Sequence, residues 1–219
     1  MSINIVNITI IGTGNMGLPL AKYLGQADHR VFLGSRDESK ASRIAAEIGF
    51  GVKGESIQDA VKEGDIIFIA VPHAAINETL EKMGSLDNKV VVDMSNCFKP
   101  DFSGLTIGHT TSAAEEIARQ IPNAKVVKAF NTIFATILNK GLNFENQVLN
   151  VFLASDDEQA KQSVSELVES IGLLPVDCGK LKSSRFLEPL SALILQIDSN
   201  LKREVQIAPA IIERARSVA

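Results

Sequence analysis

An open α/β fold, with a mostly parallel sheet wound on both faces, follows from three features of this 219-residue chain. Short apolar runs alternate with amphipathic stretches along most of its length, the pattern of repeated strand–helix units. One run, Ile66-Ile67-Phe68-Ile69-Ala70-Val71, is continuously apolar, as in a strand covered on both faces. The third feature is a glycine turn, Gly12-Thr13-Gly14-Asn15-Met16-Gly17, between the β-like run Ile5 to Ile11 and an amphipathic stretch, Met16 to Gly25.

The elements follow in order. A second strand, His29 to Gly34, precedes a helix over roughly Glu38 to Ile48. A short edge strand near Val52 leads into a helix from Ser56 to Lys62. The buried strand from Asp65 ends at Pro72, and a helix runs from about Ala74 to Met83. Lys89 to Met94 is the next strand, followed by an irregular loop to about Thr110. Ser112 caps a helix reaching Gln120. Lys125 to Phe130 and Asn150 to Ala154 are strands separated by a loop around Lys140. Asp156 to Ile171 is helical, and Leu174 to Asp177 is a final strand. The last forty or so residues carry no strand pattern; Ser183 to Leu201 and Gln206 to Val218 read as two helices. The expected organisation is therefore a domain over residues 1–180 and a small helical appendage, 181–219, over the carboxyl ends of the strands.

The glycine turn is the most specific chemical signal. Strand, G-x-G-x-x-G and helix in that order form the dinucleotide fingerprint of a Rossmann-type sheet. Gly12 makes the tight turn, Gly14 allows a diphosphate close to the backbone, and Gly17 lets helix and strand pack. The diphosphate then sits on the positive end of the helix. An NAD-binding unit places an acidic residue at the tip of the second strand for the ribose 2′-hydroxyl. Here the tip reads Ser35-Arg36, with no carboxylate before Asp37. Arg36 offers a planar fork of donors for a phosphate, Ser35 adds a hydroxyl, and Lys40 lies one helical turn on. This pattern favours NADP(H) over NAD(H).

Composition narrows the partners. A formal charge of −4 and a pI near 5.5, with no basic block, argue against nucleic acid. The longest late apolar stretch, Leu190 to Ile197, is too short to span a bilayer, and the early one is the first strand rather than a signal peptide. Cys97 and Cys178 are far apart, without a C-x-x-C pattern, as in reduced cytoplasmic proteins. No His/Cys/Asp/Glu group has metal-ligand spacing. Leu190, Leu193, Ile194 and Ile197 form a helical stripe that buries within the chain or, as a second reading, makes a homodimer contact.

Ligands of such sheets lie outside the carboxyl ends of the strands. Those ends bring Val71 and Pro72 as an apolar wall beside the nicotinamide ribose. They also bring Ser95, Asn96 and Asn131 as neutral groups to orient a carboxamide or second ligand. His73 is the weak catalytic candidate at this edge. Without an acidic partner nearby in sequence, a helix-capping or cofactor-contacting role is favoured over proton transfer. His109 has no partner pattern, and His29 belongs at the far end of the sheet. No nucleophile elbow or P-loop is present, and no Lys or Tyr general acid stands in the expected pocket. Hydride transfer between two cofactor rings suits such a pocket, because the rings carry the chemistry.

These motifs carry a family likeness over nearly the whole chain. GTGNMG followed by GSR and Lys40, Ser112-Ala113-Ala114-Glu115, KVVKAFNTI at 125–133 and Leu181-Lys182-Ser183-Ser184-Arg185-Phe186-Leu187-Glu188 resemble the NADPH-dependent reductases of coenzyme F-420 (F420 below). Asp93-Met94-Ser95-Asn96 and VVKAFNT are also similar to the cytosolic NADPH-binding domain of the STEAP metalloreductases. The resemblance implies that Thr13, Gly14, Asn15 and Met16 bind the diphosphate. It likewise implies that Ser35, Arg36 and Lys40 bind the 2′-phosphate, and that backbone from Ile133 to Ala135 meets the nicotinamide. The implied acceptor is F420, with a flavin (FMN or FAD) second. A small carbonyl or imine substrate, or NADPH sensing without turnover, are the alternatives.

Overall fold

The structure, a computed structural model, describes residues 5–142, 144, 147–212 and 214. Its strands are β1 (Asn7–Ile11), β2 (Arg30–Ser35), β3 (Lys53–Ser56), β4 (Ile66–Ile69), β5 (Val90–Asp93), β6 (Lys125–Lys128), β7 (Asn150–Ser155) and β8 (Leu174–Asp177). They form one sheet in the order β3-β2-β1-β4-β5-β6-β7-β8. Only the β6–β7 pairing is antiparallel among the described strands. The expected doubly wound, mostly parallel sheet is the one observed.

The helices are α1 (Gly17–Gln26), α2 (Glu38–Ile48), α3 (Ile57–Glu63), α4 (Ile76–Met83), α5 (Ala113–Gln120), α6 (Ala135–Lys140), α7 (Glu158–Ser170) and α8 (Ser184–Leu201). Asp37, Ser56, Ser112 and Asp157 cap α2, α3, α5 and α7 with side-chain oxygens, satisfying amide groups that a helix start leaves open. Alternate residues of the central strands feed two cores. Ile8, Ile10 and Phe68 pack with Leu20, Leu24, Val164 and Leu167 on one face. Ile11, Ile67 and Ile69 pack with Ile57, Leu80 and Ile117 on the other.

Five local expectations change. Lys140, expected in a loop, is the last residue of α6, and the helix expected from Ala74 starts at Ile76, after a 3-10 turn over His73–Ala75. A second 3-10 turn, Leu181–Ser183, precedes α8. The helix expected over Gln206 to Val218 is not formed at 206–212 or 214, and its remaining residues lie outside the described ones. Asp198 replaces the expected continuation: its carboxylate accepts the Val205 and Gln206 amides at 2.7 and 3.2 Å, turning the chain back at the end of α8. Nor is the stripe on α8 one buried face. Ile194 is buried, whereas Leu193 and Ile197 are exposed.

Candidate functional site

The strand register assembles the site. Gly34, Ile11, Ile69, Asp93 and Lys128 are successive neighbours across β2, β1, β4, β5 and β6. Ser35-Arg36, the glycine turn, Ala70-Val71-Pro72, Ser95-Asn96 and Asn131 all follow that line within a few residues. They therefore share one edge of the sheet, at the carboxyl ends of the parallel strands.

At its centre Gly12 has φ +124°, and a Cβ there would collide with the Ala70 carbonyl, so only glycine fits. A Cβ on Gly17 would run into the Gly12 carbonyl, whereas one on Gly14 would meet nothing within 4 Å. The open side of the turn thus lies at Gly14 and Asn15, which are exposed. Helix α1 starts there with neither a side-chain cap nor an acidic residue in its first turn, leaving amide dipoles free for an anion. A diphosphate fits this cradle. Helix α6 braces it: Asn139 Nδ2 donates to the Asn15 carbonyl at 2.9 Å, and the Tyr23 hydroxyl donates to the Leu138 carbonyl at 3.0 Å. Ala135, half-buried, opens α6 on this side.

At the tip of β2 the Asp37 carboxylate is turned into its own helix, where Oδ1 accepts the Lys40 amide at 2.9 Å. The Asp37 amide donates to Ser35 Oγ at 3.2 Å. Arg36 and Lys40 are left exposed, with Arg36 Nη1 3.7 Å from Glu78 Oε1 of α4. The basic groups at this tip can meet a phosphate, and its first carboxylate is committed elsewhere.

On the other side, Asn96 and Asn131 behave differently from each other. Asn96 Nδ2 donates to the Asn131 carbonyl at 2.7 Å and to Ser191 Oγ at 3.0 Å, and its Oδ1 accepts from Asn131 Nδ2 at 3.1 Å. That amide fastens α8 to the strand ends, with its donor group bonded within the chain. Asn131 Nδ2 also donates to the Leu187 carbonyl at 2.8 Å, but Asn131 Oδ1, Ser95 Oγ and Thr132 Oγ1 are buried without partners among the described residues. Buried polar atoms are normally satisfied, so these three fit a polar ligand group. His73 sits half-buried in its 3-10 turn with Nδ1 equally unpartnered. Ala75, not His73, takes the cap position of α4.

A buried ionic cluster lies directly behind this edge. Lys128 Nζ contacts Asp93 Oδ2 at 2.8 Å, Glu188 Oε1 at 2.9 Å and the Ser95 carbonyl at 2.6 Å. Glu188 also accepts the Ala113 and Ala114 amides at the start of α5, at 3.0 and 3.3 Å, and the Cys97 thiol at 3.3 Å. Burial works against the Lys128 ammonium, but Asp93 and Glu188 outweigh it and hold its pKa above the usual lysine value. Nearby, Arg185 forks onto Glu115, with Nη2–Oε1 at 2.7 Å and Nε–Oε2 at 2.9 Å. The motif segments around Ser112, Lys128 and Glu188 are thus one interlocked unit. Single-chain reading missed Asp93, Lys128 and Glu188 as a group. The available signals were a lysine directly after two valines in β6 and a glutamate in the apolar stretch that became α8.

His109 lines a separate cleft of about 1260 Å³ between the loop after β5 and α8, together with Phe98, Phe102, Leu105, Leu193 and Gln196. Its lining includes none of the glycine turn, Ser35, Arg36 or Ala135. Among the described residues no group of three His, Cys, Asp or Glu is placed to hold a metal, and no helix is long and apolar enough to cross a membrane.

Comparison with known proteins agrees with the motifs. Residues 7–97 match the family model "NADP oxidoreductase coenzyme F420-dependent". The F420-dependent NADP reductase of Methanothermobacter marburgensis is 31% identical over 213 residues, covering 90% of this chain and 93% of that protein. Rat metalloreductase STEAP3 is 30% identical over 86% of this chain but only 37% of its own length. A crystal structure of a candidate F420-dependent NADP reductase from Arthrobacter sp. FB24 superimposes with a TM-score of 0.84 at 26% identity, covering 95% and 100% of the two chains. The chain belongs to the F420-dependent NADP reductase family of oxidoreductases.

Proposed function

We propose that this protein transfers a hydride between NADP(H) and coenzyme F420. The observation that carries the cofactor choice is the commitment of Asp37 to the cap of α2, which leaves Ser35 and Arg36 at the tip of β2 to meet a 2′-phosphate rather than a ribose hydroxyl. Lys40 adds charge to the same end. Gly12, Thr13, Gly14, Asn15, Met16 and Gly17 with the amide end of α1 hold the diphosphate. Val71 and Pro72 wall the nicotinamide ribose. Asn131 Oδ1 and Ser95 Oγ, both without a protein partner, receive the carboxamide, and the chain at Ile133 to Ala135 faces the ring.

When bound, NADPH supplies a hydride and becomes NADP+, while the deazaflavin takes up that hydride and one proton from solvent. The chain's own contribution is orientation. Lys128 is fully buried and held by two carboxylates, so it is no proton donor to a substrate, and His73 Nδ1 has no orienting carboxylate. An edge without a placed general acid suits ring-to-ring transfer over reduction of a carbonyl or imine. Family membership supports F420 as the acceptor, with a flavin as the second choice.

The test is anaerobic mixing of the protein with NADPH and F420, and in parallel with FMN, following the acceptor absorbance. Rapid bleaching of F420 with slow bleaching of FMN is expected. Bleaching of FMN alone, or of neither with NADPH bound, would overturn the acceptor assignment. For the cofactor, Arg36→Ala should weaken NADPH about 10- to 100-fold, as for a lost charged hydrogen bond, and leave NADH nearly untouched; equal losses would overturn it.

A further inference from the structure

Strand order puts β1 between β2 and β4. The glycine turn after β1 therefore lies between the tip of β2, which carries Arg36, and helix α4, which follows β4 and carries Glu78 in its first turn. Across that gap the two side chains meet, with Nη1 3.7 Å from Oε1, although 73% and 54% of their surfaces are exposed. Glu78 is the anchored member. Its Oε1 also takes Lys82 Nζ at 2.5 Å from one turn along α4. Arg36 projects from the turn before α2, with Glu78 its one ion-pair partner among the described residues. The contact thus joins the two elements that flank the glycine turn after β1.

We propose that the Arg36–Glu78 pair is a latch over the adenosine end of the crevice, and that Glu78 is a specificity-determining residue acting through Arg36. The proposal rests on the NADP(H) reading above. In the closed latch the Glu78 carboxylate lies 3.7 Å from one nitrogen of the guanidinium that a 2′-phosphate requires, and competes with the phosphate for its charge. A phosphate carries more charge and matches the guanidinium fork with two parallel hydrogen bonds, so it displaces Glu78. A ribose hydroxyl makes no such demand on Arg36. Glu78 therefore weakens binding of the phosphorylated cofactor selectively. Lys82, already bonded to Glu78, keeps that carboxylate on α4 when Arg36 leaves.

The test is titration of NADPH and NADH into the native protein, Glu78→Gln, Arg36→Ala and the double variant, at low and high salt. Both positions are on the surface, so the variants retain the fold. Glu78→Gln should bind NADPH about three-fold more tightly at low salt, the size expected of an exposed ion pair, with NADH unchanged. The gain should vanish near 1 M salt, where the screening length is about 3 Å, and in the Arg36→Ala background. Unchanged or weaker NADPH binding in Glu78→Gln, equal tightening of NADH, or a gain that persists without Arg36 would each overturn the latch. The two levels fail separately. If Arg36→Ala leaves NADPH binding intact, the assignment of Arg36 to the 2′-phosphate falls and the latch with it; if Arg36→Ala weakens NADPH while Glu78→Gln changes nothing, the latch alone falls.

Discussion

Lys128 Nζ and Glu188 Oε1 meet at 2.9 Å with side-chain exposures of 0% and 1%, joining the end of β6 to a helix that begins more than fifty residues later. Asp93 of β5 completes the pair from the neighbouring strand, and the other Glu188 oxygen takes an amide of α5. Desolvating three charges is costly, and only close pairing with every remaining lone pair satisfied offsets it. Here each carboxylate oxygen accepts at least one hydrogen bond, and Lys128 Nζ has three acceptors. The cluster holds α8 over the carboxyl ends of the strands, next to the unpartnered atoms of Ser95 and Asn131.

Removing one member of this cluster strands the others in the interior. Glu188→Ala should lower stability by about 3–5 kcal/mol, the usual cost of breaking a buried pair. Lys128→Met should cost more, because it leaves two carboxylates facing each other. Urea unfolding curves check the magnitudes, and amide exchange along α8 checks the place. Loss of protection in α8 and α5 ahead of β1 is the expected pattern. Arg185→Ala, which loses a half-exposed pair with Glu115, should move the curve far less.

Histidine chemistry gives stability a pH dependence at the opposite end of the sheet. His29 is 5% exposed; its Nδ1 accepts the Val6 amide at 3.4 Å, and Nε2 lies 3.0 Å from Ser170 Oγ. Burial lowers its pKa, with the Asp28 charge opposing in part. A proton on Nδ1 would displace the Val6 amide. The unfolded chain binds that proton near pH 6.5, before the folded protein does, so stability is full above that value and falls as pH drops through it. Thermal or urea midpoints should decline as pH falls below about 6.5, and His29→Gln should flatten that decline. An unchanged decline in the variant would assign it elsewhere.

What could be read from one chain and what could not divides by range. The glycine turn, the Ser35-Arg36 tip and the strand succession rest on neighbours in sequence, and the structure places them on one sheet edge. Helix α6 escaped because six residues are too short for a clear helical period. The bond from Asn96 to Ser191, 95 residues later, is likewise invisible to a reading of neighbours in sequence. The ionic cluster escaped for the same reason, since Asp93, Lys128 and Glu188 each look like an ordinary polar residue until register and docking bring them together.

Cys97 should be chemically silent while the protein is folded. Burial, followed by the Glu188 charge, pushes its thiol up to about 11, and the thiolate is the reactive form. At pH 8 only about one thiol in a thousand is ionised at such a pKa. Alkylation followed by mass spectrometry should leave Cys97 unmodified in native protein and label it fully in denaturant. Half-buried Cys178 should label first. Native labelling of Cys97 at the rate of a free thiol would contradict the packing of α8 over it.

The place of the nicotinamide ring can be tested at α6. Ala135 is its first residue and half-buried, and the helix is fixed to the glycine turn through Asn139 and Asn15. A side chain larger than alanine at that position would enter the space assigned to the reacting rings, while the diphosphate and 2′-phosphate contacts remain. Ala135→Phe should therefore bind NADPH within about three-fold of native yet lose about 100-fold or more in kcat, since a displacement of about 1 Å carries that penalty. Asn139→Ala should do the reverse. Losing the brace loosens the turn, weakening NADPH by about 1 kcal/mol, the net worth of one hydrogen bond, with kcat nearly kept at saturating cofactor. Undiminished kcat in Ala135→Phe would move the ring away from α6; a kcat loss in Asn139→Ala as large as its binding loss would mean that the brace positions the ring as well as the phosphates.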